Sequence, residues 1–443
     1  MKNSRLTRRG FLKTAAAAAI APTIIPSSAF GANSRIAVGI IGTGDHGTNV
    51  DLKGLLHQKD AQVMALCDVD LKNVERAKQM TLEKYGEGSK SGAASGCYTT
   101  QDWRELVARA DVDAVAVATP DHWHVLCAIG ALEAGKDVLC EKPLSLTIEE
   151  GRALADAAAK HGGITITASE NRSKTNFLQA CELVRNGRIG TLKHTRVELP
   201  GGWWVRDLGH GTSQEPAPVP EGLDYAMWQG QVAHKPFSPG RFHFNWRWDM
   251  DYSGGMLTDW GAHMLDIAQW GNGTERTGPV RVEGTGVMDR DAYYNVASAW
   301  GMTYEYASGA TLFCTNREPN TTTPGLASVR FEGTHGWIEC DWFSIKASDK
   351  ELLKTTFGPD DVRLRTCAGG EHRDWLDCIQ SREPTYAPFE VGHRTTSMSH
   401  LANICLQLGR KLEWNPDAEK FVNDPEADAL IGRTMQNGWS LPA

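Results

Sequence analysis

Three short stretches carry residues whose types and spacing could do chemistry. Gly42-Thr43-Gly44-Asp45-His46-Gly47 has the spacing G-x-G-x-x-G. Such a turn suits a pyrophosphate: Gly42 permits the tight bend, Gly44 lets the phosphates approach the backbone, and Gly47 allows close helix–strand packing. Asp45 and His46 ride on the same turn and count as cofactor-side positions. Asp68 follows about 20 residues later, where an acid bonds the adenosine ribose hydroxyls and repels a 2′-phosphate, favouring NAD over NADP. Asp70 is a second acid close enough to share that role. Glu141-Lys142-Pro143 places a lysine just after an apolar run. Its ammonium could steady a developing alkoxide, or it could be an ordinary solvated loop lysine. Asp259 and His263 are four residues apart, so a helix projects both from one face. A histidine oriented by a neighbouring carboxylate suits a general base for a hydroxyl proton. The same pair could merely cap or solvate an amphipathic helix. A metal using Asp266 as well is imaginable, but no other ligands stand out and hydride transfer needs none, so no metal is expected.

These residues need a scaffold, and the periodicity supplies one. An apolar strand, Ile36 to Ile41, leads into the glycine turn, and helical spacing follows through Leu52, Leu55 and Leu56. Further strands read at Ala61 to Asp68, Val112 to Pro120, the run KDVLC and Ile164 to Ser169. Helices read between them, one ending at Gly135 and one starting at Thr147 with Glu150 completing a capping box. Near-continuous apolar strands alternating with helices make a doubly wound parallel sheet. The pattern changes near residue 170. After a helix from Thr175 to Asn186, stretches such as LKHTRVELP, RVEGTGVMD, GATLFCTN, LASVRFEG and GWIECDWF alternate in polarity, as strands of a mostly antiparallel sheet do. A Gly/Pro/Trp-rich connection over about 200–255 is too long for a plain loop and reads as a functional insertion or oligomer contact. A last helix is expected over about 394–410, and a polar tail with few anchors after Trp414.

Composition excludes some classes. The 443 residues allow two domains with real cores, and a net charge of −8 argues against a nucleic-acid binder. Ten cysteines show no CxxC pair, and Cys67, Cys127 and Cys140 fall in apolar runs, so buried free thiols are expected. Fifteen tryptophans serve either as core filler or as flat platforms for sugar faces.

The first 31 residues stand apart from the fold. Basic residues precede an apolar middle from Ala15 to Ile25, followed by small residues at Ala29 and Gly31, which is the layout of a cleavable signal. The segment is too short to remain as a membrane span. Within it, TRRGFLK (Thr7 to Lys13) resembles the twin-arginine signature, which directs export of folded, cofactor-loaded proteins. The twin-arginine export machinery and a periplasmic location are therefore expected.

Taken together, GxGxxG, TPDHWH (Thr119 to His124), EKP and GGM-x2-D-x3-H resemble the Gfo/Idh/MocA oxidoreductases, from about Arg35 to Trp414. The resemblance implies an α/β fold: an NAD(P)-binding Rossmann domain (32–169) followed by an α/β domain (170–415) whose open sheet often makes an oligomer interface, then a tail (416–443). It implies hydride transfer between NAD(P) and a hydroxyl of a small carbohydrate or cyclitol by a homo-oligomer. Lys142 matches the lysine that orients the substrate hydroxyl, His263 the base and Asp259 its companion. Thr119, Pro120 and His124 match the loop beside the nicotinamide, and Glu141 a cofactor-contacting acid. Asn171, Arg172, Trp246 and Arg247 are weaker candidates for substrate contact, as are Trp203 and Trp204; a packed insertion or interface fits them equally well. Some superfamily members recycle NAD without net redox change, as glycosidases, epimerases or aldose–ketose oxidoreductases. The glycosidases usually lack the EKP lysine, which this chain keeps. A non-catalytic protein on the same fold is the remaining alternative, opposed by the intact Lys142, Asp259 and His263.

Overall fold

The computed structural model describes residues 35–86, 97–316 and 327–442. The signal segment 1–31 lies outside the described residues. The first sheet holds β1 (Ile36–Ile41), β2 (Ala61–Cys67), β3 (Tyr98–Thr100), β4 (Ala114–Val117), β5 (Asp137–Cys140) and β6 (Thr165–Thr167). Their order is β3-β2-β1-β4-β5-β6 and every pairing is parallel. All four residues of β4 and of β5 are buried, which explains why these strands read as unbroken apolar runs. The strand order reverses between β1 and β4, where a crevice opens at the strands' carboxyl ends. The glycine turn follows β1 and Thr119 follows β4, so both meet at that crevice.

The second sheet holds β7 (Leu192–Leu199), β8 (Arg281–Val287), β9 (Ala299–Glu305), β10 (Thr311–Asn316), β11 (Ser328–Gly333), β12 (Gly336–Asp341), β13 (Ile345–Ala347), β14 (Leu412–Asn415) and β15 (Lys420–Phe421). Its order is β13-β12-β11-β7-β10-β9-β8-β14-β15, with only β7 and β10 parallel. Alternate residues of β9 are buried, the signature of a sheet with one covered face. Helices Thr175–Arg185, Gly261–Asn272 and Phe389–Leu408 contribute Phe177, Leu265, Trp270 and Leu401 to the core over that face.

Two expectations need correction. The segment after Trp414 is well anchored. Phe421, Ala427 and Ile431 are buried, Glu419 takes Arg152 at 2.8 Å, and the Asn437 amide donates to the carbonyls of Gly230 and Val232. Its anchors are spread singly among polar residues, so no periodicity betrays them. The capping box at Thr147 is half formed. The Thr147 hydroxyl accepts the Glu150 N–H, but the Glu150 carboxylate turns to Arg433 at 2.7 Å. Helix Gly370–Ser381 was not anticipated; its Trp375 and Leu376 pack into the first sheet's core. All ten cysteines are free, as expected. No helix of the described residues is long and apolar enough to cross a membrane.

Candidate active site

The glycine turn has the shape a dinucleotide needs. Gly42 sits at φ +91°, and a Cβ there would lie 2.5 Å from the Ala118 carbonyl oxygen. A Cβ on Gly47 would lie 2.0 Å from the Gly42 oxygen, whereas one on Gly44 would meet nothing within 4 Å. The first and last glycines thus serve packing, and the middle one leaves an open cradle at a helix start. Asp68 accepts the N–H groups of Thr43 at 2.7 Å and Asp70 at 2.9 Å, which ties the end of β2 to the turn. His46 meets Glu141 at 3.0 Å. Glu141 raises the imidazole to about 9, and against the cost of burial His46 and Lys142 hold the Glu141 carboxyl down to about 2. This ion pair links the phosphate turn to the end of β5.

A cleft of about 610 Å³ runs from Asp68 and Asp70, past Gly44 and Thr119, to Lys142 and Arg247. Its far wall is the long connection. The peptide groups of Leu71 and Asp224 bond Gly222 and Val69, Gln101 donates to the carbonyls of Val69 and Gly222, and His243 meets Asp70 at 3.1 Å. Nearer the phosphate turn, Arg206 reaches Asp45 at 3.5 Å. Residues 206–247 therefore form a strap across the nucleotide crevice. The open Gly44 cradle, the Asp68 carboxylate and a buried, unpartnered Thr119 hydroxyl fit NAD from its phosphates to its nicotinamide end. His124 faces inward instead: its ring nitrogens meet the Pro143 and Thr119 carbonyls at 2.8 and 2.9 Å, so it braces the loop.

At the other end Lys142 Nζ lies 2.8 Å from Asp259 Oδ1, with Arg247 Nε at 3.7 Å from the same oxygen. Against the cost of burial, Asp259 and Glu141 hold the Lys142 ammonium above its ordinary value; likewise Lys142 and Arg247 hold Asp259 well below its own. Arg247 stacks on Trp246 and Phe244, its carbon 4.3 and 4.5 Å from the ring centres, which fixes the fork. Asp259 therefore orients the lysine; no hydrogen bond joins it to His263. Helices Met256–Asp259 and Gly261–Asn272 meet at Trp260, whose backbone stays helical, and the Asp259 carboxylate is taken up by Lys142 and Arg247. The carboxylate nearest the His263 ring is Glu170, with Oε1 4.0 Å from Nε2. Burial pushes the Glu170 carboxyl up, helped by Glu371 and Glu141. Burial and the Lys142 charge push the His263 imidazole down to about 3, so the ring is neutral at physiological pH. Glu170 was missed in the sequence; its one signal was its place just beyond β6, at the carboxyl edge of the parallel sheet.

Arg172 is not a substrate residue. Its side chain is 2% exposed and bidentate on Asp266 at 2.7 and 2.8 Å, with Glu275 and the Tyr386 carbonyl each at 3.0 Å. Asp266 is equally committed, accepting Thr395 as well. Asn171 is buried and donates to the His263 carbonyl at 3.3 Å, so it braces the backbone of that residue.

Two family models cover this chain. The "Oxidoreductase family, NAD-binding Rossmann fold" matches residues 36–169, and the "Oxidoreductase family, C-terminal alpha/beta domain" matches residues 174–441. Among curated proteins, a glycosyl hydrolase family 109 protein of a Shewanella species is 29% identical over 40% of this chain and 38% of its own length. A levoglucosan dehydrogenase of Pseudarthrobacter phenanthrenivorans is 30% identical over 39% of this chain and 36% of its own. The alignments thus span under half of either relative. A solved levoglucosan dehydrogenase, in complex with NADH and L-sorbose, shares the fold at TM-score 0.63 and 17% identity, covering 86% of this chain and 99% of that one.

Proposed function

This chain belongs to the Gfo/Idh/MocA oxidoreductase family, and on that premise we propose that it is an exported enzyme that moves a hydride between NAD and a sugar, glycoside or cyclitol hydroxyl carbon. The observation that carries this reading is the neutral His263 imidazole near the protonated, Asp259-held Lys142 at the end of the nucleotide cleft. NAD supplies the hydride acceptor when bound. Lys142 donates a hydrogen bond to the reacting oxygen and offsets its growing negative charge, while His263 takes the hydroxyl proton. Asp259 and Arg247 keep the ammonium in register. The strap keeps bulk water from the crevice.

A second reading has its own support. The strap crosses the crevice through which NAD would leave, and the segment TRRGFLK points to export of a folded, loaded protein into a periplasm with little free cofactor. A retained, internally recycled nicotinamide fits both. A redox-neutral glycosidase or epimerase outcome then becomes the alternative to net oxidation, and a glycosyl hydrolase among the relatives favours keeping it.

The test is to purify the protein, denature it and measure co-released NAD(H) by mass spectrometry. Native protein is then followed by nicotinamide fluorescence against a panel of sugars, glycosides and cyclitols. Reduction of the nicotinamide by one of them supports hydride transfer. A protein that neither carries nor binds NAD, and changes no fluorescence with any of them, overturns the reading.

A further inference from the structure

His263 packs in a three-ring cluster with two indoles that the mechanism above does not use. Trp260 and Trp342 lie 5.8 and 5.7 Å from its ring centre and 5.7 Å from each other. Trp204 extends the cluster outward, 5.7 Å from Trp260 and nearly edge-on to it. Three separate elements deliver these rings: the junction between the helices at Trp260, the residue after β12, and the segment leading into the strap. The two inner rings are half-buried, whereas Trp204 is 42% exposed and its neighbour Trp203 is 40% exposed. Adjacent large rings left in water make the kind of exposed apolar patch that marks a binding site.

The outer ring is held in place. The Gly202 N–H bonds the Ser298 carbonyl at 2.9 Å, and Arg206 exchanges two 2.8 Å hydrogen bonds with the Asn245 side chain. Trp204 lies between these two clamps, so its ring costs little further ordering on binding. Polar groups flank the inner end: Glu170 near the imidazole, Lys174 Nζ 5.1 Å from the Trp342 ring centre, and a buried Trp342 indole N–H without a partner. An apolar ridge with donors and an acceptor at one end matches a sugar whose ring faces stack while its hydroxyls are read at the reacting position.

We propose that Trp342, Trp260 and Trp204 form an extended subsite and that the substrate is a glycoside of at least two rings: a sugar at His263, and a second flat-faced ring over Trp204. This rests on the sugar-hydroxyl reading above. The second ring is either another pyranose or an aromatic aglycone, since both offer the apolar face that an indole takes.

The test uses the NAD-loaded full chain and matched pairs: glucose with maltose and with p-nitrophenyl glucoside, galactose with lactose, and N-acetylgalactosamine with its p-nitrophenyl glycoside. Dissociation constants are read from tryptophan quenching and calorimetry, and hydride transfer from reduced-nicotinamide absorbance on the same samples. In at least one pair the two-ring member binds about tenfold tighter, and Trp204→Ala removes that advantage while the single sugar changes less than about twofold. A disaccharide preference identifies a sugar as the second ring; a preference confined to the aryl glycoside identifies an aromatic aglycone. Equal affinity within every pair, or equal loss for both members in Trp204→Ala, overturns the subsite. A surviving Trp204-dependent preference without hydride transfer in any sample overturns the oxidoreductase reading and leaves the subsite standing.

Discussion

Lys142 Nζ and Asp259 Oδ1 are 2.8 Å apart although 117 residues separate them in sequence, and the pair joins the end of β5 to the helix before His263. The contact fixes where the ammonium sits at the end of the cleft. Lys142→Met removes the charge, and Asp259→Asn removes the counter-charge that holds the ammonium. Each is expected to lower kcat by about a hundredfold or more, in line with loss of a preorganised charge-stabilising group. Neither should strip the cofactor, because the Gly44 cradle and Asp68 lie at the other end of the cleft. Nicotinamide content by mass spectrometry beside stopped-flow reduction checks both halves. Unchanged kcat in both variants removes the pair from the active site.

His263 sets the expected pH profile. Its folded value of about 3 lies below that of a free imidazole, so the ring stays neutral as pH falls through 6.5. Its acid limb in kcat/KM should therefore appear near 3, and above about pH 5 no loss should trace to this residue. An acid limb centred at 6–7 that vanishes in His263→Gln contradicts this placement. The same depression affects stability. The unfolded imidazole binds a proton below about 6.5 and the folded one does not until about 3, so this group's contribution falls as pH drops across that window.

The first sheet was legible almost strand for strand, because β1, β4 and β5 are buried on both faces and their sequences are correspondingly unbroken. Lys142, Asp259 and His263 were legible as residues but not as a geometry. A helix spacing of four suggests pairing Asp259 with His263; Lys142 and Arg247, from distant elements, hold the carboxylate instead. Glu170 and the anchored tail were illegible for another reason. Several of their partners are far away in sequence, as with Glu170 and His263 or Glu419 and Arg152, and no local pattern encodes such pairs. Arg172 misled because a basic residue after β6 looks like a ligand group until Asp266 and Glu275 are seen to consume its guanidinium.

That buried pair predicts its own mutants. Arg172→Met leaves the 1%-exposed Asp266 carboxylate without its main donor, which costs about 3–5 kcal/mol by the usual behaviour of broken buried pairs. The double variant Arg172→Met/Asp266→Leu should recover much of the loss, since neither charge remains. Chemical denaturation of the three proteins reads this directly. A substrate role for Arg172 would show instead as a raised KM with stability intact.

The strap predicts slow cofactor exchange. Gln101 Nε2 bonds the carbonyls of Val69 and Gly222 at 2.7 and 3.1 Å, pinning the strap to the turn that follows β2. Gln101→Ala removes one of the two donors at each carbonyl and loosens that hinge without touching Lys142 or His263. NAD(H) should leave the variant at least tenfold faster, about 1.4 kcal/mol on the opening step. Nicotinamide fluorescence after mixing with excess unlabelled NAD gives the rate. An unaltered off-rate would mean that the strap does not gate the cofactor.

Asp121 offers a separate check on the cleft's electrostatics. It is 3% exposed, accepts the Ser253 hydroxyl at 2.6 Å, and burial pushes its carboxyl from 3.8 up to about 7. Between those values the folded chain holds a proton that the unfolded chain has lost, so this group's contribution to stability declines as pH rises from 3.8 and levels off above 7. Asp121→Asn keeps an acceptor for Ser253 without a charge to desolvate. The variant should match the wild type near pH 4 and be more stable at pH 8, by about 4 kcal/mol or less because Lys142 and Arg247 already favour the ionised form. Thermal melts at the two pH values decide it. A variant less stable at pH 8 would show that the carboxylate is ionised in place, held by those two cations as part of the charged site.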